Sequence, residues 1–158
     1  MTNPTCPVYS ANHISHAIIR IFNIKGESIT HLQLQKLLYL AHGWCLAIYD
    51  RPLLKCEIEN WKHGPIVGEI FHKFKVFGQD PVKMTITDQP SLDNQTRSLL
   101  DKIYEVYGKM NGIKLSSMSH VTGSPWDQTK NKSVIDDKII AEWFKNKASH
   151  RMLVSPEP

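Results

Sequence analysis

The chain has 158 residues, a length that predicts one domain able to bury a core of its own. Hydrophobic residues are 41% and charged residues 22%, ordinary globular usage that excludes a fibre or wholesale disorder. Lys and Arg number 19 against 15 Asp and Glu, so the net charge is +4, which suits an acidic protein partner or a nucleic acid without requiring either.

Residues 1–9 hold Pro4, Cys6 and Pro7 but no periodic pattern. They read as a flexible N-terminus, and they lack the basic stretch followed by an apolar run that marks a signal peptide. Ser10 is the expected cap of a first helix over residues 10–23, where Ile14, Ala17, Ile18, Ile21 and Phe22 recur at helical spacing. Gly26 ends it. Thr30 is the expected cap of a second helix. Its apolar positions, Leu34, Leu37, Leu38, Ala41, Trp44, Cys45 and Ile48, are widened by Leu40 into a stripe that predicts a central helix packed on several sides. Asp50-Arg51-Pro52 stops it. No stretch approaches the roughly 20 unbroken apolar residues of a membrane span.

Residues 57–61 alternate weakly and predict a short strand. His63-Gly64-Pro65 reads as a turn into a third helix with Pro65 at its first position, and Phe77-Gly78 closes that helix. Residues 83–87 alternate and predict a second short strand. Ser91 is the expected cap of a long helix carrying Leu92, Leu99, Ile103, Val106 and Met110, ended by Gly108 and Gly112. A short helix over 114–121 and a turn at Gly123-Ser124-Pro125 follow. Ser133 is the expected cap of the last helix, whose inward face is Ile135, Ile139, Ile140, Trp143 and Phe144. Asp136 and Asp137 in its first turn, and Lys145 and Lys147 in its last, suit the helix dipole.

The fold class is therefore mainly α: a compact single-domain bundle of about five or six helices with room for one small β-hairpin. Residues 10–148 form the domain and 149–158 read as a flexible tail.

Catalytic signatures are absent. The chain has no Gly-x-Gly-x-x-Gly, phosphate-binding loop, His-Glu-x-x-His, Cys-x-x-Cys or Gly-x-Ser-x-Gly, so no catalytic, cofactor or metal site is assigned. His13 and His16 lie one helical turn apart, but no Cys, Asp or Glu nearby completes a ligand set. Three cysteines, Cys6, Cys45 and Cys56, are an odd and scattered number that fits a reducing, cytoplasmic setting. Two other functional classes stay open. One is a small hydrolase pairing Cys45 or Cys56 with His42, His63 or His120, or using a Ser/His pair. The other is a DNA-binding regulator. Lys130, Lys132, Lys138, Lys145 and Lys147 are interleaved with Asp127, Asp136, Asp137 and Glu142, however, which reads as a solvated mixed-charge face rather than a nucleic-acid surface.

Three passages stand out in order: residues 34–44 (LQKLLYLAHGW), residues 59–67 (ENWKHGPIV), and Ser119-His120 with Ser124-Pro125-Trp126. Together they resemble the Panacea-domain family of SocA-like antitoxins, also known as the phage-associated GepA type, from about Ile14 to Phe144. The resemblance implies a mostly helical domain with a small strand element. It implies a role in a toxin–antitoxin system, in which the domain binds and neutralises a cognate protein toxin. One branch delivers its toxin to an ATP-dependent protease, and many members lie in prophages or other mobile elements. No cofactor is implied, and homo-oligomerisation is left open.

Carried onto this sequence, the helix signature is Lys36, Leu37, Tyr39, Leu40 and Trp44. The turn signature is Trp61, Lys62, Gly64 and Pro65, and the closing signature is His120, Pro125 and Trp126. His63 stands where the family usually has Tyr, and Ser119 where Thr is common. The residues also suggest structural tasks of their own: Gly64 for a backbone geometry that a β-carbon hinders, Lys36 and His120 as donors to carbonyls exposed at turns. The candidate partner-binding residues are Tyr9, Tyr49, Phe77 and Tyr107, aromatic side chains near the ends of elements.

Overall fold

The computed structural model describes residues 8–149. Residues 1–7, including Cys6, and the tail from 150 onward lie outside the described residues. The elements in chain order are α1 (Ala11–Ile24), α2 (His31–Tyr49), β1 (Glu59–Trp61), β2 (Gly64–Ile66), α3 (Gly68–Phe74) with a 3-10 turn (Lys75–Phe77), α4 (Asn94–Tyr107), α5 (Gly112–Ser119) and α6 (Asp137–Ser149). The domain is mainly α, as the periodicities predict.

Caps begin the first two helices where the sequence places them. Ser10 Oγ accepts the His13 amide at 3.0 Å. Thr30 forms a full capping box: its hydroxyl accepts the Gln33 amide at 3.2 Å, and Gln33 Oε1 accepts the Thr30 amide at 2.9 Å. Thr30→Ala is expected to lower stability by about 1 kcal/mol, read as a shift in the urea midpoint with no change in slope. Asp50, in the left-handed region at φ 55°, closes α2.

The α2 helix is the axis of the fold. From residue 34 to residue 46 every side chain except Leu40 is buried. It packs against α1, α3, α4, α5, α6 and β2. A helix with neighbours on all sides must be apolar nearly all round, which the broad stripe already shows. The tightest crossing is with α6. A β-carbon on Gly43 would lie 2.3 Å from the Phe144 ring, so only glycine lets α6 approach there. Phe144 then meets Trp44 and Tyr39 edge-on, with ring centroids 5.0 and 5.6 Å apart. Trp44 Nε1 donates to the Tyr107 hydroxyl at 3.1 Å and ties α2 to α4.

Four expectations are corrected. Pro65 does not start a helix. It lies in β2, paired with Asn60 across an antiparallel hairpin whose turn is Lys62-His63, and α3 starts only at Gly68. Residues 83–87 are not a strand. Their main-chain partner is a side chain: Asn23 Oδ1 accepts the Ile86 amide at 2.9 Å and Asn23 Nδ2 donates to the Met84 carbonyl at 3.3 Å. The cap of α4 is Asp93 rather than Ser91. Ser133 does not cap α6: its carbonyl accepts the Asn60 amide at 2.8 Å, and Asp136 Oδ1 takes the Lys138 amide at 2.9 Å.

Candidate functional site

The three sequence signatures are far apart in the chain but meet at one place, the β1–β2 hairpin. Neither Lys62 nor His63 takes a positive φ; that demand falls on Gly64, at φ 110°. This sharp reversal presents a run of carbonyls away from the two-stranded ladder. A hairpin this short cannot satisfy them all itself.

Side chains supply those partners from three directions. The Trp126 indole donates to the Trp61 carbonyl at 2.7 Å. A ring nitrogen of His120 lies 3.1 Å from the Lys62 carbonyl. Ser116 Oγ donates to the His63 carbonyl at 2.7 Å, and Lys36 Nζ donates to the Pro65 carbonyl at 3.0 Å. Two residues on, Gln35 acts as a substitute strand: its Oε1 accepts the Val67 amide at 2.9 Å and its Nε2 donates to the Val67 carbonyl at 3.2 Å. The far edge of β2 is therefore covered by α2 and offers no free ladder.

A second layer holds these donors in place. The other ring nitrogen of His120 lies 2.5 Å from the Ser116 carbonyl, and its ring packs 4.0 Å from that of Trp126. Ser119 Oγ donates to the Ser116 carbonyl, and Ser124 Oγ to the Ser119 carbonyl. On the β1 side, buried Asn60 donates from Nδ2 to the Trp126 and Thr129 carbonyls at 2.6 and 2.8 Å. Lys36 and Ser119 approach so closely because Gly64 has no side chain: a β-carbon there would be 2.7 Å from Ser119 Oγ and 2.9 Å from Lys36 Nζ.

Lys36 is 1% exposed, and burial pulls its ammonium down to about 7. Burial likewise pushes the Tyr39 hydroxyl up. The remaining helix-signature residues Leu37 and Trp44 are core, and Leu40 is half-buried on the same helix. Pro125 is buried beneath the closing turn.

Gln35, Asn60 and Ser124 lie within the three passages but not among the signature residues, and Ser116 lies outside them. The available signal was polarity out of place: Gln35 and Lys36 are adjacent polar residues in the most buried helix. For Ser116 no local signal existed, because it serves a carbonyl that a distant segment brings to it.

The aromatic residues expected near element ends do not gather on one face. Tyr107 is 6% exposed, with its hydroxyl committed to Trp44. Tyr9 is tied into a polar clasp: its hydroxyl donates to Asp93 at 2.6 Å, and Arg51 reaches the same carboxylate at 3.2 Å. Burial pushes the Asp93 carboxyl up, but bonds from Thr96 and Tyr9 outweigh it and hold the group below its ordinary value. Tyr49 lies against the Arg51 guanidinium, and Phe77 packs towards Phe74.

The two described thiols are poorly placed for chemistry. Cys45 is buried in the core. Burial, with Glu69 adding to it, pushes the Cys56 thiol up to about 11, away from the reactive thiolate. His42 is buried with both ring nitrogens in use: Nδ1 accepts the Leu54 amide at 3.2 Å, and Nε2 lies 2.9 Å from Asp137. Among the described residues, no group of three or more His, Cys, Asp or Glu is arranged to hold a metal ion.

An open groove of about 900 Å³ runs beside the hairpin. Trp61, Ile66, Phe71 and Ile113 give it an apolar lining, with Lys62 and His63 on the exposed turn. A smaller cavity of about 130 Å³ lies between α2, α5 and α6 and is reached by Lys36, Tyr39 and Trp143.

Residues 34–127 match the family model described as "Antitoxin SocA-like, Panacea domain". The chain belongs to this family of SocA-like antitoxins. The matched span starts in α2 and ends just past Trp126, so it contains the whole hairpin clasp. Antitoxin SocA of Caulobacter vibrioides (strain NA1000 / CB15N) is 31% identical, with 74% of this chain and 72% of that protein covered. No solved structure matches the chain. Among the described residues, no helix of this Panacea-domain protein is long and apolar enough to cross a membrane.

Proposed function

We propose that this chain is the antitoxin of a toxin–antitoxin pair and neutralises a cognate protein toxin by direct, non-catalytic binding. Membership of the SocA-like antitoxin family is the observation that carries this reading. The geometry supports it: Lys36, His120 and Trp126 of the signature are spent on holding a hairpin, the two described thiols are buried or raised, and His42 and His120 are engaged with the main chain or a carboxylate. What remains for function is surface, and surface binds partners.

Co-expression with the product of the neighbouring open reading frame tests the reading. That product alone should arrest growth, the chain should restore it, and the two should co-purify. Growth arrest that the chain leaves unchanged overturns the proposal. Purified components then separate neutralisation from delivery to an ATP-dependent protease. Binding alone should block the toxin at a stoichiometric ratio with no protease present; a requirement for protease and ATP makes the chain an adaptor instead.

A further inference from the structure

The groove beside the hairpin differs from the rest of the signature region because its side chains are not used up. The carbonyls of Lys62 and His63 are bonded within the fold, yet their side chains are exposed. Ile113, at the second position of α5, is 75% exposed on the opposite wall. Isolated exposed apolar residues are commonplace, but this one faces Trp61, Ile66 and Phe71 across a single concavity. No Asp or Glu side chain lines the groove. The nearby carboxylate of Glu59 accepts the Trp61 indole N–H at 2.8 Å and is turned towards Gly68. The lining cation is Lys62.

We infer that this groove is the docking site for the toxin, and that it takes an acidic segment of that protein carrying an aliphatic or aromatic side chain next to an Asp or Glu. This inference rests on the antitoxin reading. The apolar side chain enters between Ile113 and Phe71, where burial supplies the affinity. The carboxylate meets Lys62 at the rim, where it steers association and fixes register. The site cannot work by adding a strand, because Gln35 and Lys36 already occupy the free side of β2 and Val67. Recognition is therefore by side chains, which is why an anchor and a charge are both needed. The overall charge of +4 favours the same partner.

Three single variants of the full chain test the inference, using the purified product of the neighbouring open reading frame as the binding probe. Lys62→Glu reverses the rim charge and Ile113→Glu places a charge on the wall. Ile24→Glu is the control: Ile24 is 67% exposed and does not line this groove. All three replaced side chains are exposed, so thermal midpoints should match the parent. Lys62→Glu and Ile113→Glu should each weaken binding by about tenfold or more, and Ile24→Glu should not. Binding by the parent should also weaken as salt rises, a measurement that needs no variant.

The failures are distinguishable. A parent chain that neither binds nor neutralises the probe overturns the antitoxin reading and the docking site with it. A parent that neutralises while both groove variants bind as tightly as it does leaves that reading standing and overturns the groove. Loss with Ile113→Glu alone, without salt dependence, overturns the acidic character of the partner segment.

Discussion

Gly64→Ala is expected to destabilise the domain by about 2–5 kcal/mol, the sum of backbone strain and overpacking at one point. At φ 110° the backbone of residue 64 is in a region that L side chains rarely adopt. The new methyl would also fall 2.7 Å from Ser119 Oγ and 2.9 Å from Lys36 Nζ. Neither neighbour can step aside freely. Ser119 Oγ is bonded to the Ser116 carbonyl, and Lys36 Nζ is bonded to the Pro65 carbonyl and buried. Urea unfolding of the parent and the variant checks this. A double variant, Gly64→Ala with Ser119→Ala, divides the cost. Removing Oγ relieves the contact but leaves the φ strain, so the pair should recover part of the loss and not all of it. A Gly64→Ala protein as stable as the parent would show that the hairpin relaxes into an ordinary turn.

The size of that effect explains why the signature was legible as a pattern but not as a task. Caps and helices are local: Ser10 with His13, and Thr30 with Gln33, each act within four residues, so both helix starts follow from the chain itself. The broad stripe of α2 likewise announces a central helix. The hairpin is different. Pro65 precedes a helix closely enough to suit its first position, and the weak alternation at 57–61 does not by itself show that residues 64–66 pair with it. It lies in β2 because β1 pairs with it on one side and Gln35 and Lys36, about thirty residues earlier, take the Pro65 carbonyl and the main-chain groups of Val67 on the other.

The same physics accounts for the other misplacements. Residues 83–87 have strand-like alternation, but the neighbour waiting for them is the Asn23 side chain, which satisfies two main-chain groups without making a ladder. Ser91 and Asp93 are both good capping residues. Asp93 prevails because its carboxylate is also claimed by Tyr9 and Arg51, which fixes it at the helix start. Tyr107 lies at a helix end, where sequence suggests exposure, yet the indole of Trp44 needs an acceptor inside the core. In each case a contact across the fold decides between two locally acceptable readings.

Lys36 makes the second large prediction, a stability that rises with pH. Its ammonium has a folded value of about 7 against an ordinary 10.5, because burial penalises the charge. Between those two values the unfolded chain holds a proton that the folded chain has released. Stability therefore climbs as pH rises through that window, by up to about 1.4 kcal/mol per pH unit, and the penalty for burying the charge is fully present below it. Lys36→Met keeps the apolar stem and removes the titrating group. The variant also loses the bond to the Pro65 carbonyl, a cost of about 1–3 kcal/mol that does not depend on pH. The gap by which the parent outstrips the variant should accordingly widen steadily as pH rises from about 7 to about 10, and close as pH falls towards about 6. Urea midpoints of both proteins across that range decide it. A gap that stays constant would mean that Lys36 keeps its proton throughout, and that the hairpin is held by a buried ammonium rather than by a neutral amine donating to Pro65.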